Sequence, residues 1–233
     1  VISGKNPSRL ALLASRAVIY YAKRWKSIEK NRKFTGLYFY HDEFDDAVSM
    51  KELFEKQVEK YELVSFQYVV YEKSDKYLGT TCSFLTLDLT KDLKPNDVGR
   101  LIGIVEGGGL IILLTPSWSE WDTFNTIFKA NLAVPQFPEP RHIFIRWFKQ
   151  KLLEHAGIGI YDADENRVIK KLDLSGVKEA GAKREIVIPE KTVFPKTVYE
   201  FALTMDQVNV IKYMESLREK PPKGKKRVIV ITA

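Results

Sequence analysis

The sequence predicts an α/β protein of three layers, in which a mostly parallel sheet has helices on both faces. Two observations indicate this class. Short apolar segments alternate with segments of helical period along the 233 residues, as is typical of parallel strands joined by crossover helices. Some segments, above all residues 110–114, are apolar at every position, as expected when both faces of a sheet are buried.

The first predicted element is an amphipathic helix over about residues 8–30, where apolar residues recur at helical spacing without Gly or Pro. Gly36 then breaks the helical pattern. Strands are predicted at residues 37–40, 66–71, 80–87, 110–114, 157–161, 168–169 and 227–232. Further helices are predicted from an acidic start at 41–46 to about 61, from Asn96 onward, and over 141–155 and 204–217.

Three consecutive glycines at residues 107–109 are predicted to end the helix that begins at Asn96. A dinucleotide-binding glycine motif follows a strand and opens a helix. Here the order is reversed, so no phosphate-binding loop is predicted.

No catalytic residue and no metal site is predicted. The three histidines have no Ser or Cys nucleophile beside them in a recognisable motif. The cluster of His41, Asp42, Glu43, Asp45 and Asp46 contains metal-ligand types, but neighbouring positions on a helix point in different directions, which favours an acidic helix start. The loop after residues 110–114 carries tryptophans at 118 and 121, which could stack bases, although docking of the loop on the core is favoured.

Basic residues are concentrated at the start of the chain. The net charge is +7, and residues 1–34 contain nine Lys and Arg against a single acid, Glu29. Such a block indicates a polyanion partner, above all nucleic acid, although long cationic side chains can also simply solvate a helix face. The candidate phosphate contacts are Arg9, Arg16, Lys23, Arg24 and Lys26. A second basic cluster surrounds prolines 221 and 222.

Composition excludes several classes of protein. With 45% hydrophobic and 12% aromatic residues, the chain has material for a packed core. No apolar run approaches the roughly 20 residues that span a bilayer, and no secretory signal is visible, so a cytoplasmic protein is expected. The single cysteine, Cys82, excludes an internal disulfide and a cysteine zinc site.

Four segments together resemble one known family. Residues 96–116 read NDVGRLIGIVEGGGLIILLTP, and residues 40–46, 78–88 and 117–121 read YHDEFDD, LGTTCSFLTLD and SWSEW. In this order they resemble the N-terminal domain of tRNA(Met) cytidine acetyltransferases of the prokaryotic, notably archaeal, type. The resemblance covers about residues 36–170, with weaker agreement from 200 onward.

This resemblance implies an enzyme of several parts: a helicase-like N-terminal domain, a P-loop ATPase, an acetyltransferase domain and a tRNA-binding region. The family acetylates N4 of the wobble cytidine of elongator tRNA(Met), using acetyl-CoA, ATP and Mg²⁺. Its Walker loop follows the strand that matches residues 227–232, and this sequence stops at Ala233. We therefore expect the chain alone to be inactive, to hold no cofactor tightly, and to support the ATPase and tRNA binding.

The resemblance also suggests domain bounds and one nucleotide contact. The expected segments are a basic helix at 1–35, an α/β domain at 36–173, a linker at 174–196 and the first helix and strand of the ATPase at 197–233. Gln207 matches the family's glutamine that reads adenine, a role suited to an amide that both donates and accepts hydrogen bonds. Without the resemblance, Gln207 is an ordinary exposed helix residue.

Two alternatives remain open from sequence. One is the N-terminal part of a nucleic-acid helicase or ATPase that acetylates nothing. The other is a stand-alone RNA-binding module, which an end on a bare strand disfavours.

Overall fold

The computed structural model describes residues 1–28, 33–136, 138–139, 141–173, 186–202 and 204–217. The chain divides into two compact units, Val1–Gly176 and Val177–Ala233. The four segments expected from the sequence stay a prediction. The predicted strand at 227–232, the second basic cluster and most of the predicted linker lie outside the described residues.

The described part of the first unit contains one seven-stranded sheet. Its strands are β1 (Ile2–Ser3), β2 (Phe34–Tyr40), β3 (Val64–Val70), β4 (Cys82–Asp88), β5 (Val105–Thr115), β6 (Ile160–Asp162) and β7 (Arg167–Lys170). Their spatial order is β3-β2-β4-β5-β1-β6-β7. Neighbours pair in parallel except β6 and β7, so the predicted mostly parallel sheet is confirmed.

Helices cover both faces of this sheet, which confirms the three-layer prediction. They are α1 (Pro7–Lys26), α2 (Asp45–Val58), a 3₁₀ helix (Tyr71–Tyr77), α3 (Pro95–Ile102), α4 (Ile127–Asn131) and α5 (Ile143–Glu154). Buried side chains of α1 and α2 share one core with Tyr38 of β2. Those of α3 and α5 share the opposite core with Leu37 and Phe39, because successive strand residues point to opposite faces.

One internal strand of the sheet, β1, is not predicted from the sequence. Ile2 and Ser3 pair in parallel with β5 on one side and with β6 on the other. Two residues are too few to show a strand period. Because β5 and β4 lie between β1 and β2, α1 must cross one face of the sheet to connect them.

The prediction that glycines 107–109 end a helix is wrong. α3 already ends at Ile102, and the glycines lie inside β5. The register with β4 shifts between Cys82 and Phe84, which marks a bulge. Gly108 has φ +77°, and a Cβ at Gly109 would lie 2.6 Å from the Ser83 carbonyl oxygen. Glycine is therefore required by the bulge and by close approach of the backbone.

The second unit contains α6 (Lys196–Glu200) and α7 (Met205–Ser216) in its described part. α7 confirms the helix predicted at 204–217. Tyr199, Ala202 and Val208 form its small buried core. Of all the helices described, none is both long and apolar enough to cross a bilayer.

Candidate nucleic-acid interface

Helix α1 carries all five predicted phosphate contacts. It begins where the Asn6 side chain accepts a hydrogen bond from the backbone N–H of Arg9 at 3.0 Å, with Pro7 in the first turn. Leu10, Ala14 and Val18 are buried against the sheet and α2. The helix contains no acidic residue, so its outer surface has only one sign of charge.

Three of the cations lie along the outer face of α1. Arg9, Arg16 and Lys23 are seven residues apart, so they share one side of the helix and follow each other at about 10.5 Å along its axis. This side is opposite to the buried stripe at Ala11 and Val18. These three predicted cations therefore share one face of the helix.

The five cations differ in what they contact. Arg9 donates a hydrogen bond from Nη2 to Oδ1 of Asn166 at 3.0 Å, and the Lys23 ammonium lies 4.7 Å from the centre of the Tyr61 ring. Arg16, Arg24 and Lys26 are exposed. Within the described part of the chain, their side chains make no hydrogen bond or ion pair. These three charges are available to an external anion.

The positive charges at the C-terminal end of α1 can also stabilise the helix itself. Lys23, Arg24 and Lys26 lie in its last turn, where the negative end of the helix dipole favours cations by about 0.3–1 kcal/mol each when they are exposed. The same side chains can therefore stabilise the helix and bind phosphate. The salt dependence of RNA binding separates the two roles.

Contacts with the β5 bulge hold this end of α1 on the sheet. The Tyr21 hydroxyl donates to the Gly108 carbonyl oxygen at 3.0 Å. A Cβ at Gly108 would lie 3.0 Å from the Trp25 ring, so ring and backbone are in close contact. The basic turn is thus anchored to the sheet by these two contacts.

The tryptophan loop is docked on the core, as favoured from sequence. Trp121 is 2% exposed and contacts Phe148 of α5 edge to face. The Lys149 ammonium lies 4.7 Å from the centre of the Trp118 ring and donates to the Trp118 carbonyl oxygen at 2.6 Å. One face of Trp118 is therefore covered by a cation of the protein itself.

Buried polar groups that the sequence pattern does not predict lie at the carboxyl ends of β2 and β4. Asp88 accepts hydrogen bonds from the Thr90 backbone N–H at 3.0 Å and hydroxyl at 2.6 Å, and burial raises its pKa. Burial also raises the pKa of the Tyr38 and Tyr71 hydroxyls well above the ordinary value. The helices that follow β2 and β4 lie on opposite faces, so this is a switch point of the sheet, where α/β folds bind ligands.

Gln207 lies in the first turn of α7 and is exposed. Its side-chain oxygen accepts a hydrogen bond from the Thr204 backbone N–H at 3.2 Å, and the Thr204 hydroxyl accepts one from the Gln207 N–H at 3.3 Å. This reciprocal pair is a capping box. The spacing of Thr204 and Gln207 could have predicted it from sequence. Recognition of adenine by Gln207 stays a prediction.

The acidic segment before α2 is only partly a helix start. Asp45 and Asp46 lie in the first turn of α2, as predicted. His41 and Glu43 precede the helix, so the argument from helical directions does not apply to them.

Comparisons with known proteins agree with the resemblance seen in the sequence. A family model described as tRNA(Met) cytidine acetyltransferase TmcA, N-terminal, matches residues 1–163. Two similar proteins carry the name tRNA(Met) cytidine acetyltransferase TmcA. The one from Thermofilum pendens is 40% identical over 235 residues, covering 100% of this chain and 28% of the relative. The one from Pyrococcus abyssi is 37% identical over 168 residues, covering 71% and 20%. The chain thus spans less than a third of the length of these relatives.

Proposed function

Since the chain belongs to the family of N-terminal domains of tRNA(Met) cytidine acetyltransferases, we propose that it is the N-terminal part of an enzyme that acetylates a tRNA cytidine. The proposed product is N4-acetylcytidine at the wobble position of elongator tRNA(Met), formed in the cytoplasm with acetyl-CoA and with ATP and Mg²⁺. The names of the relatives favour this proposal over a helicase without acetylation and over a stand-alone RNA-binding module.

In this proposal the chain itself is catalytically inactive and contributes RNA-binding surface. The observation that supports this role most strongly is a set of α1 cations that have no partner among the described residues, Arg16, Arg24 and Lys26, on a helix fixed to the sheet through Tyr21. Contacts of cations with phosphate hold RNA in place without reading its sequence. Selection of the methionine tRNA then belongs to other parts of the enzyme.

Titration with two RNAs tests the RNA-binding role. Labelled elongator tRNA(Met) and an unrelated tRNA are titrated with the chain at low and at moderate salt. We expect both to bind, with affinities that agree within about threefold and fall steeply as salt rises. Absence of binding at low salt would contradict the role, and so would strong preference for one tRNA that persists at moderate salt.

The proposed adenine contact of Gln207 needs variants that separate it from helix capping. Gln207→Glu keeps the acceptor of the capping box but loses the amide donor that an adenine edge requires. Gln207→Ala loses both. In a protein extended to the length of its relatives, we expect both variants to raise the KM for ATP, while only Gln207→Ala destabilises α7. An unchanged KM for ATP in Gln207→Glu would contradict adenine recognition.

A further inference from the structure

Three side chains from two separate segments of the sequence meet at the carboxyl ends of β2 and β3. His41 follows β2, Glu43 lies two residues later, and Glu72 lies in the 3₁₀ helix that follows β3. Each offers one ligand atom, and these three atoms lie within 4.8 Å of one another. Imidazole nitrogen and carboxylate oxygen are the usual non-sulfur ligands of zinc.

A buried imidazole nitrogen is directed into this cluster. His41 is 2% exposed, and its ring lies against the Tyr71 ring with centres 4.6 Å apart. Its Nδ1 atom makes no hydrogen bond with any described residue. Buried polar atoms in proteins almost always have a partner, so an Nδ1 atom held in this position indicates a ligand.

The geometry around Nδ1 matches that of two ligands of one ion. Nδ1 lies 3.3 Å from Oε1 of Glu43, yet the two atoms are not hydrogen-bonded. Ligand atoms bound tetrahedrally to one zinc ion are about 3.3–3.4 Å apart, given zinc–nitrogen and zinc–oxygen bonds of about 2.0–2.1 Å. Glu43 and Glu72 are exposed, so Glu72 can approach by rotating its side chain.

We propose that His41, Glu43 and Glu72 form a binding site for a divalent transition-metal ion of the zinc class. With His41 bonding through Nδ1, the protein supplies three ligands, and the fourth position stays open to water or to an external ligand. The ion would join the loop before α2 to the 3₁₀ helix after β3. The site does not depend on the proposed role in tRNA acetylation.

Metal titration of the chelator-treated protein tests this site. We expect about one Zn²⁺ per chain, measured by mass spectrometry of the dialysed protein and by competition with a chromophoric chelator. Zn²⁺ should also raise the midpoint of thermal unfolding, because an ion that binds the folded state stabilises it. Mg²⁺ in large excess should not displace Zn²⁺, because imidazole favours transition metals over Mg²⁺.

The test variants change the two exposed ligands, Glu43 and Glu72. Replacing the buried His41 would also disturb folding. The double variant Glu43→Gln, Glu72→Gln should bind Zn²⁺ at least about tenfold more weakly. The control Glu52→Gln, Glu62→Gln removes the same charge from exposed positions and should bind as the parent does. Equal affinity in the two double variants would overturn the site, as would absence of stoichiometric Zn²⁺ in the parent or displacement of Zn²⁺ by Mg²⁺.

Discussion

The cations of α1 and the lysines around α5 carry the same charge but are used in opposite ways. On α1, Arg16, Arg24 and Lys26 are exposed and unpaired within the described part of the chain. By contrast, Lys149 of α5 is 12% exposed and forms an ion pair with Asp122. Lys129 of α4 donates to the Phe124 carbonyl oxygen at 2.6 Å, and burial lowers its pKa.

The difference shows that a cation is available for binding only where the fold leaves it unpaired. A buried ion pair is screened little by salt, whereas exposed charges respond strongly to it. Loss of Lys149 or Lys129 should therefore affect folding, and loss of an unpaired α1 cation should affect RNA binding.

The largest effect on folding is expected for Lys149→Met. This variant leaves the partly buried Asp122 carboxylate and the Trp118 carbonyl oxygen without their donor, which should lower the free energy of unfolding by about 2 kcal/mol. The matched control is Lys151→Met on the same helix, whose pair with Glu154 is about half exposed and should contribute less than about 0.5 kcal/mol. Urea unfolding measures both variants, and equal losses would contradict the contrast.

A smaller loss is expected when the support of α1 is disturbed. Gly108→Ala places a Cβ at φ +77° and 3.0 Å from the Trp25 ring, which should lower the free energy of unfolding by about 1–2 kcal/mol. Gly107→Ala is the control, because a Cβ there meets no atom within 4 Å. We also expect Gly108→Ala to weaken tRNA binding more than Gly107→Ala does. Identical behaviour of the two variants in both measurements would contradict the anchoring of α1 by the bulge.

Asp88 extends the contrast to a buried acid. Burial raises the pKa of Asp88 in the folded protein. The protonated carboxyl therefore stabilises the fold fully below the unfolded pKa of Asp88, about 3.9. This stabilisation is lost as pH rises through the folded pKa. Asp88→Asn stays neutral and keeps an acceptor for Thr90. Its free energy of unfolding should exceed that of the parent at pH 7, by a margin that shrinks toward pH 4. Urea unfolding measures the difference in free energy of unfolding between Asp88→Asn and the parent. If this difference does not change with pH, the charge of Asp88 is not what destabilises the parent.

Elements with a clear period were predictable, and features defined by a distant partner were not. Residues 110–114 could be predicted because every position is apolar, and α5 because its apolar residues recur at helical spacing. The bulge at glycines 107–109 exists only relative to β4. The sequence around the glycines therefore indicates a helix end and not a bulge. β1 is too short to carry a pattern of its own.

The candidate sites show the same difference between local patterns and distant partners. Counting charges was enough to select Arg16 and Arg24, because α1 has no acid to pair with them. That Lys149 is paired depends on Asp122, 27 residues away. Glu72 approaches His41 only because β2 and β3 lie side by side, so no local motif could have predicted the metal site.

The salt dependence of tRNA binding tests the role of α1 most directly. The affinity for tRNA is measured over a series of salt concentrations for the parent, for the triple variant Arg16→Gln, Arg24→Gln, Lys26→Gln, and for a control triple variant. The control, Arg146→Gln, Lys76→Gln, Lys171→Gln, removes the same charge from exposed positions outside α1.

We expect the α1 variant to bind tRNA about 10–100-fold more weakly at low salt. Its slope of log affinity against log salt should be smaller in magnitude by about 2–3, because each phosphate contact contributes about 0.7–0.9. Its free energy of unfolding should fall by no more than about 1–2 kcal/mol, through the helix dipole, and the control should match the parent. An α1 variant that retains the parent's slope and affinity, or loses no more than the control does, would contradict an RNA-binding role for this helix.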